Sequence, residues 1–235
     1  MGHMTPNDYD SFAEAYTAEN ETSIVNAHYE RPAMLDLAGD VAGRRILDAG
    51  CGSGPLFAAL RDRGAIVTGI DVSARMLEFA RRRLGAGADL RIADLAEPLP
   101  LPDGAFDDVV ASLVLHYLKD WGPPLTELRR VLAPGGRLIV SVDHPFVSYA
   151  IQRETSYFET YQWTFEWTMG DRTVPMSFWN RPLHAMIDAF TAAGFRIAVT
   201  SEPQPVPAAR ELSPEEFRRL STGPCFLFFV LQRDG

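Results

Sequence analysis

The chain has 235 residues, 46% of them hydrophobic and 23% charged, and carries a formal net charge of −9 at pH 7. This length and composition predict one globular domain whose core needs no metal or disulfide, and the excess negative charge disfavours nucleic acids and anionic membranes as partners. Two cysteines, and no apolar stretch long enough to span a bilayer, favour a cytoplasmic protein. Residues 1–4 are interpreted as a tag remnant with the native start, and a single domain is expected over residues 5–235.

Apolar runs and helix patterns alternate along the first part of the chain. The predicted elements are helices at 8–19 and 24–38, a strand at 46–49, a helix at 55–63, a strand at 65–71, a helix at 73–84, strands at 90–93 and 106–113, a helix at 124–132 and a strand at 137–142. Such alternation predicts a parallel sheet covered by helices on both faces.

The hydrophobic period changes after the fifth strand. Four aromatic residues alternate with polar ones there, namely Tyr161, Trp163, Phe165 and Trp167. A period of two predicts an extended strand with one aromatic face, and residues 173–179 can return as the second arm of a hairpin after Gly170-Asp171. We expect residues 144–180 to form a lid or insertion. The predicted remainder is a helix at 183–193, closing strands at 196–200 and 224–232, and an extended loop at 202–214.

Three glycines at alternate positions separate the first strand from the helix that follows it. Gly50, Gly52 and Gly54 come directly after a strand that ends near Asp48. A strand, a glycine turn and a helix together let a nucleotide-like ligand approach bare backbone. The dinucleotide-binding fingerprint needs its third glycine one position later, where this chain has Pro55, and this weakens an NAD-dependent interpretation.

Two carboxylates and a second turn follow at informative separations. Asp71 ends the second strand, 21 residues after Gly50, where a carboxylate can accept hydrogen bonds from ribose hydroxyls. Asp94 follows the third strand, and Pro134-Gly135-Gly136 precedes the fifth. In their order and separations these features resemble the class I S-adenosylmethionine-dependent methyltransferases, in particular the small-molecule branch of the ubiquinone/menaquinone-biosynthesis type.

The resemblance covers roughly residues 40–143. It implies an α/β fold: a Rossmann-like, doubly wound, mostly parallel seven-stranded sheet with N-terminal helices and an aromatic hairpin inserted after strand five. It also implies S-adenosyl-L-methionine as cofactor, with S-adenosyl-L-homocysteine as its product, and no metal. The positions that it assigns to the cofactor are Asp48, Gly50, Cys51, Gly52, Gly54, Asp71, Val72, Met76, Asp94, Leu95, Ser112, Leu113 and, from the N-terminal helix, Tyr16.

Several of these residues have a purely structural alternative. Gly54 can serve close packing between helix and strand, Asp48 can orient the loop, and Asp71 can cap the next helix. Met76 can be a core residue, and Cys51 a small residue in a tight turn.

Methyl transfer from a sulfonium is an in-line displacement, for which positioning can supply roughly 7–11 kcal/mol. A general base is needed only if the acceptor must lose a proton. The candidates are His116, just past the fourth strand, and His144, just past the fifth, because open α/β sheets bind ligands at the carboxyl ends of their strands. The alternative is that each histidine is hydrogen-bonded behind the site.

Aromatic residues supply the candidates for substrate contact. They are Tyr9, Tyr117, Tyr161, Trp163, Trp167 and Trp179. Pockets for small molecules are mostly apolar and aromatic, so the hairpin can cover an acceptor. The alternative is that its aromatic face covers the domain or pairs two subunits, and the chain is expected to be a monomer or a homodimer.

The segment Ala111-Ser112-Leu113-Val114 lacks the Asn/Asp-Pro-Pro-Tyr/Phe motif of methyltransferases that act on nucleic-acid bases. The predicted acceptor is therefore a small molecule, aromatic or apolar, with the methylated atom (O, N, S or C) left open. Three alternatives to methyl transfer remain at this point. They are an NAD-dependent oxidoreductase, a non-catalytic S-adenosylmethionine-binding module, and an enzyme that uses the sulfonium for cyclisation or another group transfer.

Overall fold

The structure is a computed structural model that describes residues 7–169 and 172–234. The predicted tag remnant at 1–4 and the predicted Gly170-Asp171 turn lie outside these residues. Within the described part, no helix is long and apolar enough to cross a membrane.

Seven of the strands in the described residues form one sheet in the order β3-β2-β1-β4-β5-β9-β8. The strands are Arg45–Ala49 (β1), Ile66–Asp71 (β2), Asp89–Ile92 (β3), Phe106–Ser112 (β4), Leu132–Asp143 (β5), Tyr161–Met169 (β6), Arg172–Asn180 (β7), Phe195–Ser201 (β8) and Phe226–Arg233 (β9). Strands β1 to β5 are parallel, and β9 runs antiparallel to its neighbours β5 and β8. This confirms the predicted doubly wound, mostly parallel sheet.

Helices cover both faces of the sheet. They are Tyr9–Thr22 (α1), Arg31–Ala38 (α2), Pro55–Asp62 (α3), Ala74–Leu84 (α4), Gly122–Val131 (α5), Pro145–Ile151 (α6), Leu183–Ala192 (α7), Ala209–Leu212 (α8) and Pro214–Thr222 (α9), with a π-helical turn at Asn26–Glu30 and a 3-10 turn at Leu115–Tyr117. Successive residues of a strand point to opposite faces. Ile46 therefore packs in the cluster formed with α2, α3 and α4, whereas Leu47 packs in the cluster formed with α5 and α7.

The strand order reverses between β1 and β4, because the chain builds β2 and β3 on one side of β1 and then returns to build β4 and β5 on the other. Ligands of open α/β sheets bind at such a reversal, outside the carboxyl ends of the strands. Here the crevice lies beyond Ala49 of β1 and Ser112 of β4.

Several elements differ from the sequence-based prediction. Strand β5 begins at Leu132, before the predicted start at 137, and a helix, α6, lies inside the predicted lid. The region predicted as a single helix at 24–38 contains the π-helical turn at Asn26–Glu30, and residues 209–212 are helical instead of extended. Helix α9 was not predicted, since its apolar face is limited to Phe217 and Leu220, of which only Leu220 is buried. Its start is nevertheless capped, because Ser213 Oγ accepts a hydrogen bond from the Glu216 N–H at 3.4 Å.

Strands β6 and β7 form a separate antiparallel ribbon. Trp163 lies opposite Phe178, and Phe165 lies opposite Met176, so these four side chains share one face. That face packs around Phe12 of α1. The aromatic face is therefore turned towards the N-terminal helix.

The start of α1 is tied to two other parts of the molecule. The Asn7 side chain pairs with the backbone of Ser177 in β7, donating from Nδ2 to the carbonyl oxygen at 2.8 Å and accepting from the N–H at 2.9 Å. Asp10 Oδ1 accepts hydrogen bonds from Ser73 Oγ and, at 3.1 Å, from the Arg75 N–H at the start of α4. The start of α1 thus links the ribbon to the start of α4.

Candidate functional site

The glycine turn after β1 is held in one conformation by backbone hydrogen bonds and by a close side chain. The N–H groups of Gly50 and Cys51 both donate to the Ile70 carbonyl, at 2.8 and 2.9 Å. Gly50 has a φ of 77°, and a Cβ there would lie 2.6 Å from Val114 Cγ2, so no larger residue fits. Gly52 has a φ of 54°, but a Cβ there would meet nothing within 4 Å. The backbone of Gly52 is therefore exposed to open space.

The carboxylate of Asp71 holds this turn from the end of β2. Its Oδ2 accepts from the Gly52 N–H at 2.8 Å, and its Oδ1 accepts from the Ser73 N–H at 2.9 Å. Burial raises the pKa of Asp71, while these two backbone hydrogen bonds lower it. Each carboxylate oxygen can accept more than one hydrogen bond, so Asp71 can hold the turn and still accept from a ligand hydroxyl.

A cavity of about 200 Å³ opens at the carboxyl ends of β1, β2 and β4. Its lining residues are Asn7, Tyr9, Tyr16, Gly50, Gly52, Asp71, Val72, Met76, Ala93, Asp94, Leu95, Ser112, Leu113, Val114, Tyr117 and Leu118. Apolar side chains dominate this wall, with Asp71 and Asp94 as its carboxylates. We call it the larger cavity, in comparison with a smaller cavity that adjoins it.

A second cavity of about 60 Å³ adjoins the first. The two share five lining residues, namely Tyr16, Gly50, Gly52, Ser112 and Leu113. The second also touches Asn20, Asn26, Glu30, Arg31, Asp48, Cys51, Ser53, Pro55 and Leu56. Because most of these side chains are polar or charged, we call it the polar cavity.

Asp48 is the most unusual group in the polar cavity. It is 1% exposed, and among the described residues its Oδ2 has no hydrogen-bond partner. Burial raises the pKa of Asp48 to about 8, and the nearby carboxylates Asp71 and Glu30 add to the shift. Arg31 brings positive charge to the same cavity and donates to the Asn20 side chain at 2.7 Å. A buried acceptor without a donor fits a ligand that brings one.

The cofactor residues predicted from the sequence are, with one exception, brought together around these two cavities. The exception is Gly54. A Cβ there would lie 3.0 Å from Leu84 Cδ1, so Gly54 serves the close packing of α3 against α4. Met76 is both a core residue, 2% exposed, and a lining residue.

Three tyrosines meet above the glycine turn. The hydroxyls of Tyr9 and Tyr117 are hydrogen-bonded to each other, and the Tyr16 ring stands edge-on to that of Tyr9 with centroids 5.0 Å apart. Burial raises the pKa of Tyr16 to about 12 and that of the other two well above the usual value. All three are therefore neutral hydroxyls at ordinary pH.

The two histidine candidates do not line either cavity. His116 is buried behind Tyr117, with ring centroids 4.6 Å apart, and its Nδ1 lies 3.5 Å from Asp143 Oδ2. Burial lowers the pKa of His116. His144 caps α6 by accepting from the Phe146 N–H at 3.2 Å. The contact of His144 matches its structural alternative, whereas His116 is buried but its Nδ1 has no hydrogen-bond partner among the described residues.

His144 has a second contact that occupies its other ring nitrogen. Its Nε2 lies 3.1 Å from Glu202 Oε1. Burial lowers the pKa of His144, and the charge of Glu202 raises it. Both nitrogens are thus engaged at the start of α6, away from the cavities.

The aromatic candidates divide into two groups. Tyr9 and Tyr117 line the larger cavity, whereas none of Tyr161, Trp163, Trp167 and Trp179 is among its lining residues. Trp167 instead packs edge-on against Tyr16, with centroids 5.9 Å apart. Trp179 lies on the opposite face of the ribbon, where the Lys119 Nζ is 5.3 Å from its ring. The ribbon therefore supports the tyrosines that form the wall.

Sequence reasoning missed the residues of the polar cavity that come before β1. Asn20, Asn26, Glu30 and Arg31 all line it, but they belong to no recognisable spacing. The available signal was weak. Glu30 and Arg31 are adjacent charged residues inside a predicted helix, and charged residues are seldom buried without a partner.

Comparison with known proteins agrees with this geometry. A family profile described as a methyltransferase domain matches residues 47–140. The chain is 45% identical over 114 residues to a demethylmenaquinone methyltransferase of Thermus thermophilus, and 35% identical over 140 residues to one of Tropheryma whipplei. These alignments cover 47% and 58% of this chain and 52% and 58% of the relatives. The chain thus spans about half the length of the curated relatives it matches.

The fold has close matches among solved structures as well. One is the crystal structure of an S-adenosylmethionine-dependent methyltransferase from Mesorhizobium loti, with a TM-score of 0.68 and 26% identity over 91% of this chain and 100% of that chain.

These comparisons confirm the resemblance seen in the sequence. The chain has the fold of the S-adenosylmethionine-dependent methyltransferases, and its residues 47–140 match the profile of a methyltransferase domain. Its curated homologues include methyltransferases of the menaquinone and ubiquinone type. The NAD-dependent alternative receives no support.

Proposed function

We propose that this protein is an enzyme that transfers a methyl group from S-adenosylmethionine to a small-molecule acceptor. The observation that carries the proposal is the glycine turn locked onto Asp71. It leaves the Gly52 backbone open towards two adjoining cavities of different chemistry. One cavity is mostly apolar and the other is charged, which suits a ligand with an adenosine part and an amino-acid part.

The adenosine part fits the larger cavity. The Asp71 carboxylate has remaining acceptor capacity for the ribose hydroxyls. Met76 and Leu95 offer apolar contacts for a purine ring, and Asp94 an acceptor for its amino group. These assignments follow the roles that the family resemblance gives to the same positions.

The amino-acid part fits the polar cavity. Asp48 has a buried oxygen without a donor, which an ammonium group would satisfy. Arg31 offers a guanidinium to a carboxylate. A zwitterionic amino-acid group brings both complementary charges, and it would relieve the unfavourable burial of Asp48.

The cofactor supplies an electrophilic methyl group on a positively charged sulfur. The contribution of the protein is to hold the acceptor in line and to exclude water. The neutral hydroxyls of Tyr9, Tyr16 and Tyr117 can orient an acceptor but do not act as bases. Since His116 and His144 lie behind the cavity wall, we propose that the reaction proceeds mainly by positioning, on an acceptor that is nucleophilic without a protein base.

The acceptor is proposed to be apolar or aromatic, because Ala93, Leu113, Val114 and Leu118 contribute apolar wall to the larger cavity. Relatives named as demethylmenaquinone methyltransferases agree with an acceptor of this kind. The formal net charge of −9 argues against nucleic acid as the acceptor. We propose that the enzyme acts in the cytoplasm on a metabolite.

Calorimetry tests the cofactor, and transfer of a labelled methyl group tests the activity. We expect S-adenosylmethionine and S-adenosylhomocysteine to bind and NADH not to bind. Replacing Asp71 by Ala should weaken both cofactor forms by at least about tenfold, a loss of about 1.4 kcal/mol. The exposed Asp62→Ala is the matched control and should leave both affinities unchanged. Absence of binding by the wild-type protein would refute the proposal, and binding without label transfer to any apolar or aromatic acceptor would indicate a non-catalytic module.

A further inference from the structure

Leu113 has a backbone conformation that needs an explanation. Its φ is 49°, and Asn7 is the only other non-glycine residue in the described chain with a positive φ. Non-glycine residues held in sparsely populated conformations cost on the order of 1–3 kcal/mol and persist only where their surroundings enforce them. Leu113 follows directly on β4 and lines both cavities. Its conformation therefore shapes the floor of the proposed active site.

The Leu113 N–H is held by one residue of the neighbouring strand. It donates to the carbonyl oxygen of Ser141 at 3.1 Å and to Ser141 Oγ at 3.0 Å. A serine hydroxyl has a single proton. It can accept from Leu113 with a fixed orientation only if that proton is committed to another group.

Glu30 receives that proton. Its Oε1 accepts from Ser141 Oγ at 2.6 Å and from Ser112 Oγ at 2.7 Å. One carboxylate oxygen thus joins the ends of β4 and β5 and orients the hydroxyl that holds Leu113. Hydrogen bonds to a charged acceptor are roughly twice as strong as those between neutral groups, which favours a carboxylate in this place.

Glu30 reaches this point from outside the sheet. It is the last residue of the π-helical turn, whose wider winding changes the direction in which residue 30 projects compared with a regular α-helix. Turns of this kind are frequent at functional sites. Glu30 is 4% exposed, and burial raises its pKa while the bonds from Ser141 and Ser112 lower it. Among the described residues, the hydrogen bonds of the Glu30 carboxylate come from two serines of the site floor. Core packing alone does not require a carboxylate to be buried at this cost.

We propose that Glu30 is a positioning residue for methyl transfer, which sets the conformation of Ser112 and Leu113 through the hydroxyl of Ser141. The inference rests on the proposed function, because it requires that this floor faces the sulfur and the amino-acid end of the bound cofactor. The adenosine part of the ligand is held by other residues, Asp71 and Asp94, and does not depend on Glu30.

The test compares binding of a whole cofactor with binding of its adenosine part. Affinities for S-adenosylhomocysteine and for adenosine are measured by calorimetry on the full chain in four variants. Two of them, Glu30→Gln and Glu30→Ala, change the carboxylate, and Ser141→Ala removes the relay. Ser148→Ala is the matched control, because Ser148 is also buried but its hydroxyl contacts the Asn180 side-chain oxygen and the Pro145 carbonyl, away from both cavities.

We expect Glu30→Ala and Ser141→Ala to weaken S-adenosylhomocysteine by about tenfold or more, and adenosine by less than about twofold. Glu30→Gln keeps an oxygen acceptor and should recover part of the loss. The control variant, Ser148→Ala, should leave the affinities for S-adenosylhomocysteine and for adenosine unchanged. If Glu30→Ala fails to fold, Glu30→Gln and Ser141→Ala still test the proposal.

Hydrogen exchange of the Leu113 amide gives a readout that general destabilisation would not reproduce. Its protection should fall in Ser141→Ala and in Glu30→Ala relative to amides in the middle of β4. Equal loss of both affinities, or an unchanged Leu113 amide in Ser141→Ala, would overturn the inference. Failure of the wild-type protein to bind S-adenosylhomocysteine would instead refute the proposed function, so the two failures are distinguishable.

Discussion

The raised pKa of Asp48 makes the stability of the ligand-free protein depend on pH. Its pKa is about 8 in the folded chain against an ordinary value of 3.8. The folded state therefore holds a proton that the unfolded state has lost between pH about 4 and about 8. The stability contributed by this proton is fully present below pH about 4 and is lost as the pH rises through about 8.

The magnitude follows from the linkage relation. Each pH unit inside this window lowers the free energy of unfolding by up to about 1.4 kcal/mol, so three units correspond to a loss of about 3–4 kcal/mol. Asp48→Asn preserves the shape and removes the titration. The stability difference between the wild type and this variant should therefore shift by that amount in favour of the variant from about pH 5 to about pH 8.

Urea unfolding of the two proteins across this pH range measures the difference directly, because the titrations of all other groups are shared and largely cancel. The exposed Asp62→Asn should run parallel to the wild type and serves as the control. A stability difference between wild type and Asp48→Asn that does not change with pH would refute the reasoning. Binding of S-adenosylmethionine should release a proton near neutral pH, since its ammonium group favours the ionised carboxylate. Calorimetry in buffers of different ionisation enthalpy detects that release.

Three further predictions concern the turn, the capping histidine and the tyrosine pair. Gly50→Ala should abolish measurable S-adenosylhomocysteine binding, because the new Cβ would lie 2.6 Å from Val114 Cγ2. Gly39→Ala, with a φ of 67° but open space around it, should cost about 1–3 kcal/mol in unfolding free energy and leave binding intact. His144→Ala should lower the unfolding free energy by about 1 kcal/mol through loss of the α6 cap, with cofactor affinity unchanged in calorimetry. Tyr117→Phe should leave cofactor affinity within about twofold but reduce labelled-methyl transfer, because it removes one hydroxyl of the pair. If cofactor affinity fell as much as methyl transfer, the result would contradict the proposal that the Tyr117 hydroxyl orients the acceptor.

Residues near one another in the chain were the ones that sequence reasoning located well. The glycine turn and Asp94 follow strands, and Asp71 ends one, and the apolar run of each strand is visible locally. The parallel topology then brings the strand ends together. The helix start at Ser73 was also predicted, and the structure shows its cap, since Ser73 Oγ accepts from the Met76 N–H at 3.0 Å. Local patterns of this kind need no knowledge of distant contacts.

The hairpin shows where the same reasoning stops. Its period of two correctly indicated a face carrying Trp163 and Trp167, but a period does not say what the face meets. Contact with α1, more than half the length of the chain away, decides that the face supports Tyr16 instead of lining the larger cavity. For the same reason the candidate bases His116 and His144, each placed at a strand end, were separated from the cavity only by the packing of neighbouring side chains.

The amino-acid sequence by itself determined the class of fold and the turn at its centre, because strand periodicity, glycine conformation and capping act over a few residues. It also determined the position of the carboxylate that ends β2. Only the tertiary structure decided that Glu30, from a turn before the first strand, reaches the ends of β4 and β5 to hold Leu113. Hydrogen bonds across 82 and 111 positions of the chain depend on the packed arrangement of helices and sheet, which no local pattern of residues encodes.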